Sequence, residues 1–594
     1  MELFFKGKEF VYNHHLTIPF RPLIPHVDKS IGEGNLDENL IIQGDNLHAL
    51  KALLPQYAGK VDCIFIDPPY NTGNESWNYN DNVNSPIMRE WLSSNPVNRE
   101  DMLRHDKWCA MMWPRFKLLH ELLAETGSLW MTLDDNEVHR ARIMLDEIFG
   151  DNFITTIAWT NKVSPANDAE FMSDDYDSII VVAKNKSQFK INKLERNERQ
   201  SALYTNPDND PRGDWNSLTY TSNKSKEERP NLYYGIINPF TMNEIFPQEG
   251  TTWRFSPERH IQNERDQLLY WGVDGTARTP RYKRFLHEME GVVPRNSWSY
   301  KDCGSTQSAS IEMQQLHLTF PTPKPTKLLS RIIEIATLSD SIILDSFAGS
   351  GSTAHAVLEA NRKDGGNRRF ILVECEDYAD TLTAERARRV MNGYSFTGKI
   401  KEEILREKLT WTKLQGASNL LHQISGLEAL HAPNFDRIKK EIKDGEVIVT
   451  GEKDISDTKP GLGGSFTYCT LGEPLDMDAL LTGNNLPDYA ALGAWVFYTA
   501  TNQTLTPRAI DPANFYLGES SQYHVWLIYK PDLEFLKSND SALTLSRAEK
   551  IARTHQDKRH LVFAPAKFVP NKALMPLGIE FAQLPYAIYR REQA

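Results

Sequence analysis

Two short runs of this 594-residue sequence combine residue types and spacing that could do chemistry. The first is Asp345-Ser346-Phe347-Ala348-Gly349-Ser350-Gly351-Ser352-Thr353-Ala354. It follows the apolar run SIILD and opens the helical pattern TAHAVLEAN, so it reads as a turn from a strand into a helix. Glycines lack Cβ and let backbone approach a ligand closely. Gly349, Gly351 and Ala354 fit the spacing G-x-G-x-x-G/A, and Glu374 follows at the end of the next apolar run, RRFILVE. A carboxylate there accepts hydrogen bonds from ribose hydroxyls. Nicotinamide dinucleotides and S-adenosylmethionine both carry an adenosine, so this run alone leaves both open, beside a tight turn with no ligand. No Gly-Lys-Ser/Thr follows, which disfavours a P-loop.

The second run, Asp67-Pro68-Pro69-Tyr70, ends the apolar strand-like stretch VDCIFID. Open α/β sheets bind their ligands at such strand ends. The exocyclic amine of adenine or cytosine is a poor nucleophile, because its lone pair is delocalised into the ring. The Asp67 carboxylate can accept one N–H of that amine and the Pro68 carbonyl the other. Two prepositioned acceptors draw the nitrogen towards tetrahedral geometry and free its lone pair for attack on a sulfonium methyl. Successive prolines stiffen the loop. Tyr70 offers a flat face for a base that must leave the duplex to be reached. The alternative is a plain Pro-Pro turn with a capping aspartate and a core tyrosine. A nicotinamide enzyme has no use for this run, so the pair points to S-adenosylmethionine.

The elements that must hold these residues alternate. LIIQ, VDCIFID, GSLWMTL and DSIIVVAK read as strands, and SIILD and RRFILVE resume the pattern. LHALKALL, residues 107–125, a helix near 136–148 capped by Asp134-Asp135, and LLSRIIEIA read as helices. Strands alternating with helices predict an α/β fold with a doubly wound, mostly parallel, Rossmann-like sheet. Its two parts, 1–155 and 306–400, flank a segment of different texture, 156–305, rich in polar loops and basic-aromatic mixing such as RTPRYKRF. That segment is expected to be an inserted domain. Residues 401–594, beginning with a charged, helical-looking KIKEEILREKL, are expected to form a further α/β domain for assembly or DNA contact.

Net charge is −12, which argues against a simple polycation, yet residues 160–302 hold 20 Lys and Arg against 21 Asp and Glu and could carry a DNA-binding face. The five cysteines are scattered without a C-x-x-C pair, which argues against a disulfide scaffold or a zinc site, so no metal is expected. The first residues lack a signal-peptide core, and no apolar run approaches membrane-spanning length. The expectation is a cytoplasmic protein.

IDPPYNTG at 66–73, upstream of DSFAGSGST at 345–353, resembles the beta class of DNA amino-methyltransferases. More narrowly, QGDNLHALKALL, LDDNEVHRARIMLDEIFG, DPRGDW, WRFSPERH, FPTPKPTKLLSRII and IEFAQLPYAIYR are similar to modification subunits of type III restriction-modification systems. The resemblance covers most of the chain, and is weakest from 160 to 235 and from 400 to 575. It implies site-specific methyl transfer from S-adenosylmethionine to a flipped base in double-stranded DNA. It also implies a target-recognition role for the inserted segment, a homodimer, and a separate restriction subunit for ATP use and cleavage, since neither a nuclease nor a helicase motif is found here. Aspartate at 67, where cytosine-N4 enzymes resemble S-P-P-Y, favours adenine N6. Asp67, Pro68, Pro69 and Tyr70 then form the catalytic set. The cofactor set is Asp45, Lys324, Asp345, Phe347, Ala348, Gly349, Gly351, Thr353 and Glu374. Asp45 reads equally as the N-cap of LHALKALL, and Lys324 either approaches the cofactor carboxylate or is a surface lysine. Arg278, Arg281, Tyr282, Lys283 and Arg284 are the DNA-contact set, or else a solvated charged face. A cytosine-N4 enzyme, a non-catalytic target-recognition subunit and an RNA target are the alternatives.

Overall fold

The computed structural model describes residues 2–72, 103–163, 172–196, 201–289, 291–443, 445–475 and 486–584. Gly73 and residues 585–590, which close two of the motif segments above, lie outside them. The chain divides into two compact units, residues 1–191 with 295–594, and residues 192–294.

The larger unit is built on a ten-stranded sheet. In chain order its strands are β1 (Leu23–Ile31), β2 (Asn39–Gln43), β3 (Val61–Ile66), β4 (Leu123–Leu133), β5 (Phe153–Thr160), β6 (Tyr176–Ala183), β7 (Ser297–Trp298), β8 (Ile342–Asp345), β9 (Arg369–Glu374) and β10 (Phe466–Leu471). Their spatial order is β1-β10-β2-β9-β8-β3-β4-β6-β5-β7. From β10 to β4 every neighbouring pair is parallel. β1 and β6 run against their neighbours.

The central strands are apolar on both faces because helices cover both. Ile64 and Ile66 of β3 share one core with Leu47, Leu50 and Leu53 of α1 (Asn46–Tyr57), with Trp108 and Phe116 of α2 (Arg104–Leu122), and with Met144 of α3 (Val138–Phe149). Cys63 and Phe65, which alternate with them, are buried too. α4 (Thr326–Ala336) packs on β3 and β4 and against α5 (Ser352–Asp364). At about 25 cal/mol per Å² of apolar surface removed from water, this two-sided burial dominates the stability of the unit.

Chain order and spatial order differ in a way that builds the site. The crossover from β2 through α1 to β3 leaves room for two strands, which β8 and β9 fill from far along the chain. Ile343 and Leu344 pair with Cys63 and Ile64, so β3 and β8 end side by side at the same sheet edge.

Several expectations change. The helix after β4 begins at Val138, and Asp134 receives the Asn136 amide at 2.9 Å within the preceding turn instead of capping it. KIKEEILREKL is not helical: it lies in a strand, Gly393–Lys408, paired antiparallel with Glu446–Pro460, which also pairs with Arg437–Lys443. Tertiary packing overrides helical propensity there. Ile404 and Leu405 pack on buried Val447, Val449 and Ile424, and Arg406 reaches Glu446 across the strands at 3.0 Å. The compact inserted unit spans 192–294, against the expected 156–305, because β5 and β6 belong to the large sheet. Likewise β10, from the segment 401–594, inserts between β1 and β2. Residues 516–583 supply a separate four-stranded sheet, mostly parallel, with its own apolar clusters.

Cys63, Cys109, Cys303 and Cys469 are free thiols and buried. Among the described residues no helix is long and apolar enough to cross a membrane.

Candidate active site

A cleft of about 1090 Å³ opens at the shared ends of β3 and β8. Asp67, Pro68, Pro69 and Tyr70 line it, together with Lys324, Asp345, Phe347, Ala348, Gly349, Thr353 and Glu374.

The loop after β3 is clamped from several sides. Trp108 of α2 donates its indole N–H to the Pro69 carbonyl at 2.7 Å. Asn71 adopts left-handed backbone (φ 59°), which asparagine tolerates better than most residues. Its amide donates to Glu137 at 2.5 Å, and burial pushes the Glu137 carboxyl up to about 7. Asp67 accepts from the Thr132 hydroxyl on Oδ1 and from the Lys324 ammonium on Oδ2, each at 2.6 Å. The Tyr70 hydroxyl donates to Asp177 Oδ2 at 3.1 Å, and Lys324 Nζ lies 5.0 Å from the Tyr70 ring centroid. Burial, reinforced by Asp67 and Asp177, raises the Tyr70 hydroxyl well above its ordinary range, so it stays neutral.

The Gly-rich turn is held by two carboxyl groups. Asp345 accepts the Phe347 amide at 3.1 Å and the Thr353 hydroxyl at 2.5 Å, tying both ends of the turn to one side chain. Glu374 accepts the Gly349 amide at 2.7 Å on one oxygen and the Glu376 amide at 3.0 Å on the other. Gly349 and Gly351 have φ of 50° and 75°, where a side chain is strained. A Cβ on Gly351 would also stand 2.9 Å from the Thr383 carbonyl. Gly351 therefore shapes the turn from behind and does not itself line the cleft.

Several chemical features fit an adenosine-bearing cofactor. The Ser346 hydroxyl is buried in the cleft wall with no hydrogen-bond partner among the described residues. Glu374 presents a carboxylate at the strand end with lone pairs left over. At about 1090 Å³ the cleft is slightly larger than the roughly 300–1,000 Å³ of most small-molecule sites, so it has room for such a ligand.

Two members of the expected cofactor set are placed differently. Asp45 caps α1, accepting from the Leu47 and His48 amides at 2.9 and 3.3 Å, and lies 3.5 Å from Arg115; its neighbour Asn46 lines the cleft in its place. Lys324 does line the cleft, but its ammonium sits on Asp67.

The residues that sequence reading did not single out are Trp108, Thr132, Glu137 and Asp177. Thr132 is the last residue but one of β4, the parallel neighbour of β3, while Asp177 is the second of β6, which runs antiparallel to β4 and so begins at the same edge. A polar residue near the end or start of an apolar strand was the available signal, but strand order was needed to use it.

In the unit 192–294, Arg281–Phe285 pairs with Trp215–Thr219. Strand alternation sends Lys283 inward, where it pairs with Asp208 and, at 2.7 Å, with Asp210. Its charge is thereby neutralised inside the unit. Arg281 bonds Ser217, and Tyr282 packs on Phe255. Arg278 and Arg284 are the exposed members of the set. Elsewhere, His524, His555 and Asp557 bring ligand-type atoms within 4.8 Å of one another, but His524 is already satisfied by Tyr516 and Asp557 at 3.0 and 2.9 Å.

A family profile described as DNA methylase, of the N6/N4 methyltransferases, matches residues 61–385, which span both motifs and more than half of the chain. The chain belongs to that family. Among curated relatives, it is 30% identical to the StyLTI Mod subunit of a type III restriction-modification enzyme from Salmonella typhimurium LT2, over 68% of this chain and 62% of that one. It is 29% identical to the EcoPI Mod subunit from Escherichia phage P1, over 64% of each chain. It is 28% identical to the type II methyltransferase M.KpnI of Klebsiella pneumoniae, over 56% of this chain and 79% of that one. The chain thus spans a little under two thirds of the length of the two Mod subunits.

Proposed function

We propose that this protein is a site-specific DNA adenine-N6 methyltransferase that uses S-adenosylmethionine, acting as the modification subunit of a restriction-modification system. The observation that carries the reading is the convergence of Asp67–Tyr70 and the Gly349/Gly351 turn on one cleft at adjacent parallel strand ends. The family match and the names of the relatives support it.

Bound in the cleft, S-adenosylmethionine supplies an electrophilic methyl on a sulfonium. Glu374 accepts hydrogen bonds from its ribose hydroxyls, Ser346 offers an unused hydroxyl, and Phe347, Ala348 and Gly349 form the wall beside it. Asp345 and Thr353 keep the turn in shape. Asp67 accepts one N–H of the incoming adenine amine and the Pro68 carbonyl accepts the other, which localises the nitrogen lone pair. Thr132 orients the carboxylate by holding Oδ1, so Oδ2 is the acceptor presented to the base. The Tyr70 ring gives the extruded base a surface on which to stack.

The unit 192–294 would read the target sequence, with exposed Arg278 and Arg284 binding phosphates. Homodimerisation and a separate restriction subunit complete the assembly, and sedimentation with co-purification checks both.

The test is incubation with methyl-labelled S-adenosylmethionine and unmethylated duplex DNA, then digestion and mass spectrometry of the nucleosides, with Asp67→Ala in parallel. Labelled N6-methyladenine is expected, falling roughly 10²–10³-fold or more in the variant. N4-methylcytosine would move the reading to the cytosine enzymes. A protein that fails to bind the cofactor would overturn it.

A further inference from the structure

The position expected for the substrate amine is taken in this structure by a cation. Lys324 Nζ lies 2.6 Å from Asp67 Oδ2, the oxygen that Thr132 leaves available. The Lys324 side chain is 15% exposed. Two consequences follow if Asp67 activates an amine. The incoming N–H competes with the ammonium for Oδ2. In addition, positive charge develops on the amine nitrogen as the methyl arrives, and a lysine cation on the same carboxylate opposes it. Withdrawing the anion from a half-buried cation is unfavourable unless another counter-charge takes its place.

A second carboxylate stands within the same group. Asp177 receives the Tyr70 hydroxyl at 3.1 Å, and Lys324 lies 5.0 Å from the centre of that same ring. Asp177 and Lys324 both line the cleft. The Asp177 carboxyl is raised by burial and held back chiefly by the nearby Lys324 charge, so the two already interact. Asp177 is the second residue of β6, between exposed Tyr176 and the buried, mostly apolar run Ser178–Ala183, so it stands where the strand emerges into the cleft.

We propose that Asp177 is the alternative counter-charge for Lys324: when the base amine takes Asp67 Oδ2, the ammonium turns from Asp67 towards Asp177. Asp177 is then a positioning residue that lets Asp67 serve the amine while the cleft keeps its charges paired. This rests on the function proposed above. No bond is made or broken in the exchange; one hydrogen bond to Asp67 replaces another.

The test uses the full-length protein, saturating S-adenosylmethionine and unmethylated duplex DNA, and reads the single-turnover methyl-transfer rate alongside cofactor affinity. Asp177→Asn keeps an oxygen for the Tyr70 hydroxyl and a polar group beside Asn161 but removes the charge, so it spares the hydrogen-bonding role and tests the charge. The expected result is a rate lower by roughly 10- to 100-fold with cofactor affinity within about twofold of the parent. In Asp177→Asn with Lys324→Met, no cation needs a partner. This double variant is expected to be faster than the product of the two single effects by about tenfold or more. A rate for Asp177→Asn within about threefold of the parent, or independent effects in the double variant, would overturn the proposal. If the parent protein methylates no DNA, the proposed function fails first and this exchange falls with it. An active parent with an unaffected Asp177→Asn variant sinks the exchange alone.

Discussion

Asp67 and Asp345 end two adjacent parallel strands, yet their surroundings separate their roles. Asp67 is partly open to the cleft and shared between Thr132 and Lys324. Asp345 is enclosed, 3% exposed, with an amide and a hydroxyl donating to it, and burial pushes its carboxyl up to about 7. A carboxyl raised on folding favours the folded state while protonated. That contribution is complete below the unfolded value near 3.8 and is lost as pH rises through about 7. Compared with Asp345→Asn, which stays neutral, the parent should therefore lose stability across that window, by up to about 1.4 kcal/mol per pH unit. Thermal melts of both proteins at about pH 5 and about pH 7.5 check this. A difference in melting temperature that does not move in favour of the variant at the higher pH contradicts it.

At the scale of elements, the loop Asp67–Tyr70 takes its shape from a helix that follows it in sequence. α2 lends Trp108, whose N–H satisfies the Pro69 carbonyl. The Pro69 carbonyl is half-buried, so leaving it unpaired is unfavourable by about 1 kcal/mol, the low end for an unpaired group, and part of that falls on the loop geometry. Trp108→Phe should thus slow methyl transfer by up to about tenfold while leaving cofactor affinity nearly unchanged, because the Gly-rich turn is held independently by Asp345 and Glu374. Equal losses in both would show that the loop and the turn are not separable. The strand Gly393–Lys408 shows the opposite limit of local reading. Its alternating charges look helical alone, and only the long antiparallel partner gives them a sheet face.

For the whole molecule, the charge balance is informative only by region. A net charge of −12 repels DNA on average, so the proposed binding would rest on local positive surface. In the unit 192–294 Lys283 is paired internally with Asp208 and Asp210, while Lys224, Lys226, Arg229, Arg254, Arg259 and Arg265 are exposed beside Arg278 and Arg284. Arg278→Ala with Arg284→Ala should weaken duplex binding for all sequences. It should also flatten the dependence of log affinity on log salt by roughly 2, about 0.9 for each phosphate that is no longer neutralised. Binding titrations across a salt series measure this. An unchanged slope would show that neither arginine meets a phosphate.

Much of this protein was legible from its sequence. The strand and helix periods mark most of the large sheet, and Asp67–Tyr70, Gly349, Gly351 and Glu374 stand out because their chemistry needs residue types that packing alone does not. These are local properties: a loop stiffened by prolines, a turn that needs positive φ, a carboxylate ending a strand. Strand order was decided only by the tertiary structure. It sets β8 against β3 although their ends lie far apart in the chain, brings Thr132 and Asp177 to the same edge, turns Lys324 onto Asp67 and Lys283 inward, and makes a strand of KIKEEILREKL. Each of these depends on a partner distant in sequence, and periodicity along one segment carries no information about which other segment will cover it.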